Sequence, residues 1–109
     1  RSELPGYLYL AQSSDLGLIK IGFSSDDPDN RIYIANLDGY GGAWDWRICM
    51  TVWAENAGAK EIAVHRPLFE FRNERLWIRN GAAVVSKELF DCDLALAIET
   101  LSAHLTARE

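Results

Sequence analysis

Two short apolar stretches near the start of the chain have the length and composition of β-strands. Tyr7–Ala11 and Leu18–Phe23 are rich in aromatic and branched residues, and the polar segment Gln12–Gly17 separates them. This pattern predicts two antiparallel strands joined by a loop, because neither run is long enough for a helix. Tyr9 and Lys20 are polar groups within these apolar runs. A buried Lys needs a partner or a function to offset its lost hydration, whereas a Lys at a strand edge can face water; the pattern leaves both alternatives open.

The rest of the chain alternates between helical and strand patterns. Acidic residues precede an apolar-periodic stretch, which predicts a helix from about Pro28 to Leu37. The run Trp46–Trp53 predicts a strand in the same sheet as the hairpin. A second helix is expected over Ala57–Phe69, bent or ended near Pro67, because proline disfavours helical geometry in the preceding residue. The last predicted elements are a small hairpin of Leu76–Arg79 and Ala82–Ser86 across Asn80-Gly81, a short strand over Leu89–Cys92, and a helix from Leu94 to Leu105.

These elements predict one α+β domain spanning residues 1–109. We expect a small mixed three-stranded central sheet opened by the antiparallel hairpin, flanked by helices, with the last helix closing the core. Hydrophobic residues make up 49% and charged residues 25% of the chain, as in ordinary globular proteins. No apolar run approaches a membrane span and no signal peptide is visible, so no membrane partner is expected. Cys49 and Cys92 are expected to be buried thiols rather than a disulfide or a zinc site.

The charge of the chain limits how it can contact nucleic acid. The formal net charge is −5, whereas nucleic-acid binders are usually basic, because phosphate neutralisation supplies much of their affinity. Local basic residues must therefore carry any such contact, or a part of a longer parent chain must. The one basic concentration in the sequence comprises four arginines with Trp77 among them: Arg66, Arg72, Arg75 and Arg79. Of these, Arg66, Arg72 and Arg75 are predicted to bind the nucleic-acid backbone.

Several short motifs occur in an order and at spacings that resemble a known nuclease superfamily. In chain order they are Gly6-Tyr7-Leu8-Tyr9, Lys20-Ile21-Gly22, Arg31 nine residues after Gly22, Glu61 and His65 four residues apart, and Glu88-Leu89-Phe90. From about Gly6 to Phe90 the chain resembles the GIY-YIG nuclease superfamily. It is most similar to the phage-type branch in which the second motif is written KIG.

The resemblance implies an Mg²⁺- or Mn²⁺-dependent endonuclease that hydrolyses DNA phosphodiester bonds with one metal ion. Glu61 would hold the metal, since hard cations prefer oxygen ligands and keep several waters. Arg31 would bind the scissile phosphate through its guanidinium. The structural alternatives are a helical Glu61 that contacts His65 and a first-turn Arg31 that pairs with Asp27 or Asp29.

The remaining site residues follow from the same resemblance. Tyr9 would orient or deprotonate the attacking water. Lys20, expected to face it, would make the phenol more acidic, hold a phosphate or act as a base. His65 would relay a proton or contact a phosphate oxygen, with a structural role as the alternative. Gly22 and Glu88 are assigned supporting roles.

One departure from the superfamily pattern leaves the general base open. Many members have a His a few residues after the catalytic Arg, whereas here the stretch Ile32–Ala35 has Tyr33 as its single polar-tipped group. The alternative function is a catalytically inactive module that docks nucleic acid or protein through Trp44, Trp46 and Trp77. A purely structural domain that binds a protein partner is a third alternative.

The small size of the domain suits three settings. It fits a stand-alone phage or bacterial protein, a fragment of a longer enzyme, or a toxin-like effector domain. Because the sequence begins with Arg1 rather than Met, we expect a processed or excised piece. The chain would act in the cytoplasm or, as an effector, be delivered into a target cell. An effector nuclease would require an acidic inhibitor or immunity protein in the producing cell.

Overall fold

The computed structural model describes residues 4–106, with side chains described for residues 4–103. The elements in chain order are β1 (Gly6–Ser13), β2 (Leu18–Ser24), α1 (Pro28–Asp38), β3 (Trp46–Ala54), α2 (Ala57–His65), β4 (Arg75–Arg79), β5 (Ala82–Ser86), β6 (Leu89–Phe90) and α3 (Leu94–Thr106). Two 3₁₀ segments, Tyr40–Gly42 and Arg66–Phe71, precede β3 and β4. The α+β class is confirmed.

The central sheet differs in size and direction from the prediction. Its strand order is β3-β1-β2-β6, and all three neighbouring pairs are antiparallel. The predicted hairpin and the placement of β3 beside it are confirmed, but the expectation of a mixed, three-stranded sheet was wrong. The fourth strand, β6, pairs through Ile19↔Phe90 and Lys20↔Leu89 alone. Two residues carry no alternation of apolar and polar positions, so the sequence pattern could not assign them to this sheet.

Capping residues define the first helix. Asp27 accepts a hydrogen bond from the Asp29 backbone N–H at 3.0 Å, and Pro28 occupies the first helical turn, where it needs no N–H partner. Gly39 ends α1 in the left-handed conformation, with φ 74°, which glycine adopts at little cost. The predicted helix is therefore confirmed, one residue longer than expected.

The second helix ends where the sequence analysis expected a bend or an end. Helix α2 ends at His65, before Pro67, and Arg66–Phe71 continues as a 3₁₀ segment rather than as an α-helix to Phe69. Pro67 lacks a backbone N–H and its ring crowds the preceding turn, which explains the change of geometry at this point.

The β4–β5 hairpin forms a separate two-stranded sheet. Asn80 and Gly81 have φ values of 51° and 83°, as the two central residues of a tight type I′ turn require. Trp77 pairs with Val84 on the inner face of this hairpin. The prediction of a tight hairpin across Asn80-Gly81 is confirmed.

The central sheet separates two apolar layers. One face, with Leu8, Leu10 and Ile21, packs against α2 and α3. The other face, with Tyr9, packs against α1 and the segment that leads into β3. Cys49 and Cys92 are free thiols, half-buried rather than fully buried.

None of the helices in the described part of the chain is both long and apolar enough to span a membrane.

Candidate functional site

Gly22 makes room for two polar groups on one face of the sheet. In the β1–β2 register Tyr9 pairs with Gly22 and Ala11 with Lys20, so Tyr9, Lys20 and Gly22 share a face. A Cβ atom on residue 22 would lie 2.6 Å from the Tyr9 hydroxyl oxygen and 2.9 Å from Lys20 Nζ. These separations are too short for non-bonded atoms. The absence of a side chain at Gly22 therefore allows the hydroxyl and the ammonium to meet.

Lys20 is a buried cation with charged and aromatic partners. Its ammonium donates hydrogen bonds to the Tyr9 hydroxyl oxygen and, at 2.9 Å, to Glu88 Oε1. Nζ also lies 4.9 Å from the centre of the Tyr40 ring. Burial is the largest single effect and lowers the pKa of Lys20, but the charge of Glu88, together with Tyr9 and Tyr40, outweighs it, so that the pKa is raised. Lys20 is therefore charged at neutral pH and is not available as a base.

The direction of these hydrogen bonds orients the Tyr9 hydroxyl. An ammonium group can only donate, so the Tyr9 oxygen is the acceptor from Lys20. The phenolic proton must then point away from Lys20. Because Tyr9 lines the cavity beside this cluster, its O–H can be directed at a group bound there.

Glu61 and Glu88 share a hydrogen bond and one proton. Burial, followed by the charge of Glu88, raises the pKa of Glu61 to about 8. Burial would also raise the pKa of Glu88, but the Lys20 ammonium overrides it and lowers that pKa. At neutral pH Glu61 is thus the protonated donor and Glu88 the ionised acceptor. Tyr9, Lys20, Glu88 and Glu61 form one continuous chain of hydrogen bonds, called the polar network below.

His65 contacts the backbone of β2 beyond the end of β6. Its Nε2 lies 2.9 Å from the Ile21 carbonyl oxygen, an acceptor that the two-residue strand β6 is too short to pair. A carbonyl only accepts, so Nε2 carries the proton. Burial lowers the pKa of His65, which keeps the ring neutral at pH 7. Glu61 Oε2 is 3.8 Å from the same nitrogen, beyond hydrogen-bond distance.

Arg31 lies at a cavity of about 520 Å³ beside the polar network. Tyr9, Lys20 and Glu88 line the cavity with Arg31. Glu61, the predicted metal ligand, does not line it and contacts the site through its hydrogen bond with Glu88. The Arg31 side chain is exposed. Among the described residues, no carboxylate lies within salt-bridge distance of it, so the alternative pairing of Arg31 with Asp27 or Asp29 does not form.

The predicted nucleic-acid arginines do not line this cavity. Arg66 is exposed on the 3₁₀ segment, and Arg72 NH2 is 3.5 Å from Glu74. Arg75 Nε donates to the Gly41 carbonyl oxygen at 2.7 Å. The cavity is lined by Arg79, the last residue of the predicted basic concentration, and by Lys87, which the sequence analysis did not single out. The role of Arg66, Arg72 and Arg75 stays a prediction.

Two of the three tryptophans proposed as docking groups belong to the core. Trp46 is buried and donates through Nε1 to the Tyr40 carbonyl oxygen at 2.9 Å. Trp77 is also buried, with its ring centre 5.3 Å from that of Tyr40. Trp44 is 65% exposed. Trp44 is therefore the one of these three on the open surface, and the buried Trp77 lines the cavity.

The sequence analysis missed Tyr40 and underrated Glu88. Tyr40 lies in a 3₁₀ turn beside Lys20, and burial raises its pKa to about 12. Tyr40 lies in a Gly-rich loop, where no hydrophobic periodicity marks a residue as buried, because such segments are predicted to be connecting loops. Glu88 accepts the hydrogen bonds of Lys20 and Glu61. The pair of adjacent charged residues Lys87 and Glu88 was the one sequence signal that this short segment contributes charged side chains to the site.

Comparison with known proteins identifies a family for nearly the whole chain. The model of the T5orf172 domain matches residues 6–104, a span that includes Arg31, His65 and the polar network. This family falls in a group of domains associated with phage nucleases. No curated protein and no solved structure gives a significant match. The chain belongs to the T5orf172 domain family.

Proposed function

We propose that this domain is a metal-dependent endonuclease that hydrolyses DNA phosphodiester bonds by a GIY-YIG-type mechanism. The observation that supports it most is convergence. A phenol, an ammonium, a guanidinium and a carboxylate from separate segments line one cavity: Tyr9, Lys20, Arg31 and Glu88. Glu61 does not line it and is connected to it through its hydrogen bond with Glu88. The membership in a nuclease-associated family is in keeping with this chemistry.

Arg31 is the proposed ligand of the scissile phosphate. Its guanidinium is exposed at the cavity and has no salt bridge among the described residues. A guanidinium donates two parallel hydrogen bonds to phosphate oxygens and stays charged at any working pH. Such a donor stabilises the negative charge that builds up on the phosphate as the nucleophile attacks.

Tyr9 is the proposed positioning group for the attacking water. Its oxygen accepts from Lys20, so the phenolic proton faces away from the ammonium. A water held by this hydroxyl would lie at the floor of the cavity, near a phosphate bound by Arg31. Fixing both reactants in this way lowers the entropic part of the barrier. Lys20 would act by orienting Tyr9 rather than by accepting a proton.

The donor set at Glu61 and Glu88 fits a hard divalent cation such as Mg²⁺. Two carboxyl groups close enough to share a proton offer oxygen ligands, and Mg²⁺ keeps several of its waters. Glu61 would be the ligand, since Glu88 is held by Lys20. A carboxyl ligand is ionised, so metal binding would displace the proton that Glu61 carries in the metal-free protein. The metal would supply Lewis-acid stabilisation of the leaving oxygen. Among the described residues no set of three or more His, Cys, Asp or Glu side chains forms a metal cluster, so any site here is sparsely ligated.

A plasmid nicking assay tests the proposal. We expect Mg²⁺-dependent nicking of supercoiled DNA that EDTA abolishes. Glu61→Gln and Arg31→Ala should each lower the rate by about a hundredfold or more, in line with the loss of a group that stabilises transition-state charge. Glu55→Gln, an exposed glutamate just before α2, is the matched control and should retain activity.

Two outcomes would count against an enzyme. Absence of nicking at every protein concentration, with DNA binding retained, would favour the inactive binding module. Nicking that persists in Glu61→Gln and in EDTA would show that the reaction does not depend on a metal ion.

A further inference from the structure

We infer that the cavity accepts a single-stranded DNA segment, with one base against an apolar wall of Ile34, Trp77 and Val84 and the adjoining phosphate at Arg31 and Lys87. This deepens the proposed function and rests on it. The elements that form the cavity are α1 on one side, the inner face of the β4–β5 hairpin on the other, and Tyr9 and Lys20 at the floor.

The depth of the reactive groups excludes a rigid duplex. Tyr9 and Lys20 are 1% and 4% exposed, whereas Arg31 and Lys87 are exposed at the mouth of the cavity. A phosphate must therefore descend below the mouth to reach Tyr9. A DNA duplex has a persistence length of about 150 bp and cannot fold one phosphate into a space of about 520 Å³. A single strand can bend at every nucleotide and enter.

The wall of the cavity matches an unpaired base. Ile34 is a half-exposed apolar residue on α1, and it lines the cavity together with Trp77 and Val84, which are cross-strand partners on the hairpin. Unpaired bases pack their faces on aromatic and apolar side chains in proteins that bind single strands. In a duplex the base faces are already stacked, so an apolar wall of this kind would have no surface to contact.

The charge around the cavity fits a small number of phosphates. Arg31 and Lys87 have no salt bridge within the described part of the chain. Arg79 Nε is 3.4 Å from Asp38 Oδ2, which links the hairpin to the end of α1. A protein that holds a duplex commonly makes about 6–10 phosphate contacts. Two free cations on a chain of net charge −5 can hold one or two phosphates, which is the footprint of a short single strand.

Fluorescence anisotropy tests this inference in EDTA, where no metal-dependent cleavage takes place. The probes are a fluorescein-labelled single strand of about twelve nucleotides and the same strand in a blunt duplex. We expect the single strand to bind at least about tenfold more tightly. Ile34→Ala should weaken its binding by about fivefold or more, given the stacking contribution of one base. Leu37→Ala, another exposed apolar residue of α1 that does not line the cavity, should leave binding unchanged.

The same probes in Mg²⁺ distinguish the failure of this inference from the failure of the proposed function. Cleavage of the duplex at a rate equal to or above that of the single strand would overturn the inference of single-strand binding but would support the proposed nuclease function. Equal effects of Ile34→Ala and Leu37→Ala would also overturn it. Binding of the single strand without cleavage would support the base site and refute the nuclease. Neither binding nor cleavage of either probe would refute both.

Discussion

The charge of Lys20 controls the protonation of the residues around it. An ammonium buried to this degree costs free energy unless it is paired and hydrogen-bonded, and Glu88 and Tyr9 provide both. Since Glu88 is kept ionised by Lys20, the single proton shared by the two carboxyl groups lies on Glu61. The protonation state of Glu61 is thus set, through Glu88, by Lys20, which lies in a distant part of the sequence.

The raised pKa of Glu61 predicts a pH-dependent stability difference. A carboxyl whose folded pKa is about 8 against an ordinary value of 4.5 stabilises the fold below pH 4.5, and this contribution is lost as pH rises through 8. Glu61→Gln keeps the neutral donor to Glu88 at every pH. We expect wild type and variant to melt alike at pH 5 and the variant to melt at least about 4 °C higher at pH 9. Thermal unfolding followed by circular dichroism measures this.

A surface glutamate provides the control for that experiment. Glu55→Gln removes an exposed carboxyl and should change the melting temperature equally at both pH values. A constant difference between Glu61→Gln and wild type from pH 5 to pH 9 would contradict a shared proton between Glu61 and Glu88.

At the scale of elements, α2 completes an edge of the sheet that β6 leaves open. β6 pairs with two residues of β2, and the next carbonyl, that of Ile21, accepts from His65 instead. The geometry favours this structural role over the proton relay that the motif implies, because Nε2–H is engaged and the ring is neutral.

His65→Asn separates these two roles. An Asn side chain can donate an N–H to the Ile21 carbonyl but cannot exchange a proton near neutral pH. We expect His65→Asn to retain most of the nicking activity and stability. His65→Ala should lose about 1–3 kcal/mol of unfolding free energy, because a buried carbonyl is left without its donor. Urea unfolding and the plasmid assay measure the two quantities. A loss of nicking activity in His65→Asn with normal stability would support the proton-relay role of His65 instead.

At the scale of the whole molecule, Arg31 and Lys87 are exposed cations at the cavity mouth that form no salt bridge among the described residues. The chain carries a net charge of −5, and several of its basic side chains are engaged: Lys20 with Glu88, Arg72 with Glu74, Arg75 with Gly41 and Arg79 with Asp38. Binding to DNA should therefore depend weakly on salt. The acidic inhibitor or immunity protein expected for an effector nuclease stays a prediction.

The salt dependence of DNA affinity tests this distribution of charge. Plots of log K against log salt for the single-stranded probe should have a slope of magnitude about 2 or less, since each phosphate contact adds about 0.7. Lys87→Ala should reduce the slope by roughly that amount. Arg66→Ala, at an exposed cation that does not line the cavity, should not. An equal reduction of the slope by Arg66→Ala would indicate that DNA contacts the predicted arginine segment instead of the cavity mouth.

Local signals were sufficient to predict most of the elements. Asp27 and Pro28 at the start of α1, and Asn80-Gly81 between β4 and β5, act through backbone geometry within a few residues. The same reasoning predicted a short strand at Leu89 and a break of the second helix near Pro67, and both form. It could not place β6 in the central sheet, because two residues are too few to show which strand they pair with.

The sequence by itself determined the strand pair, the caps, the turn and the residue types that could serve a nuclease. These properties depend on neighbours within one turn or one strand. Only the tertiary structure decided that Glu88 holds Lys20, that Glu61 carries the proton, and that Arg75 faces a carbonyl while Lys87 faces the cavity. Each of these depends on segments far apart in sequence, whose contacts arise from the packing of α1, α2 and the β4–β5 hairpin around the sheet. Burial and electrostatics act through that packing, and no local pattern encodes it.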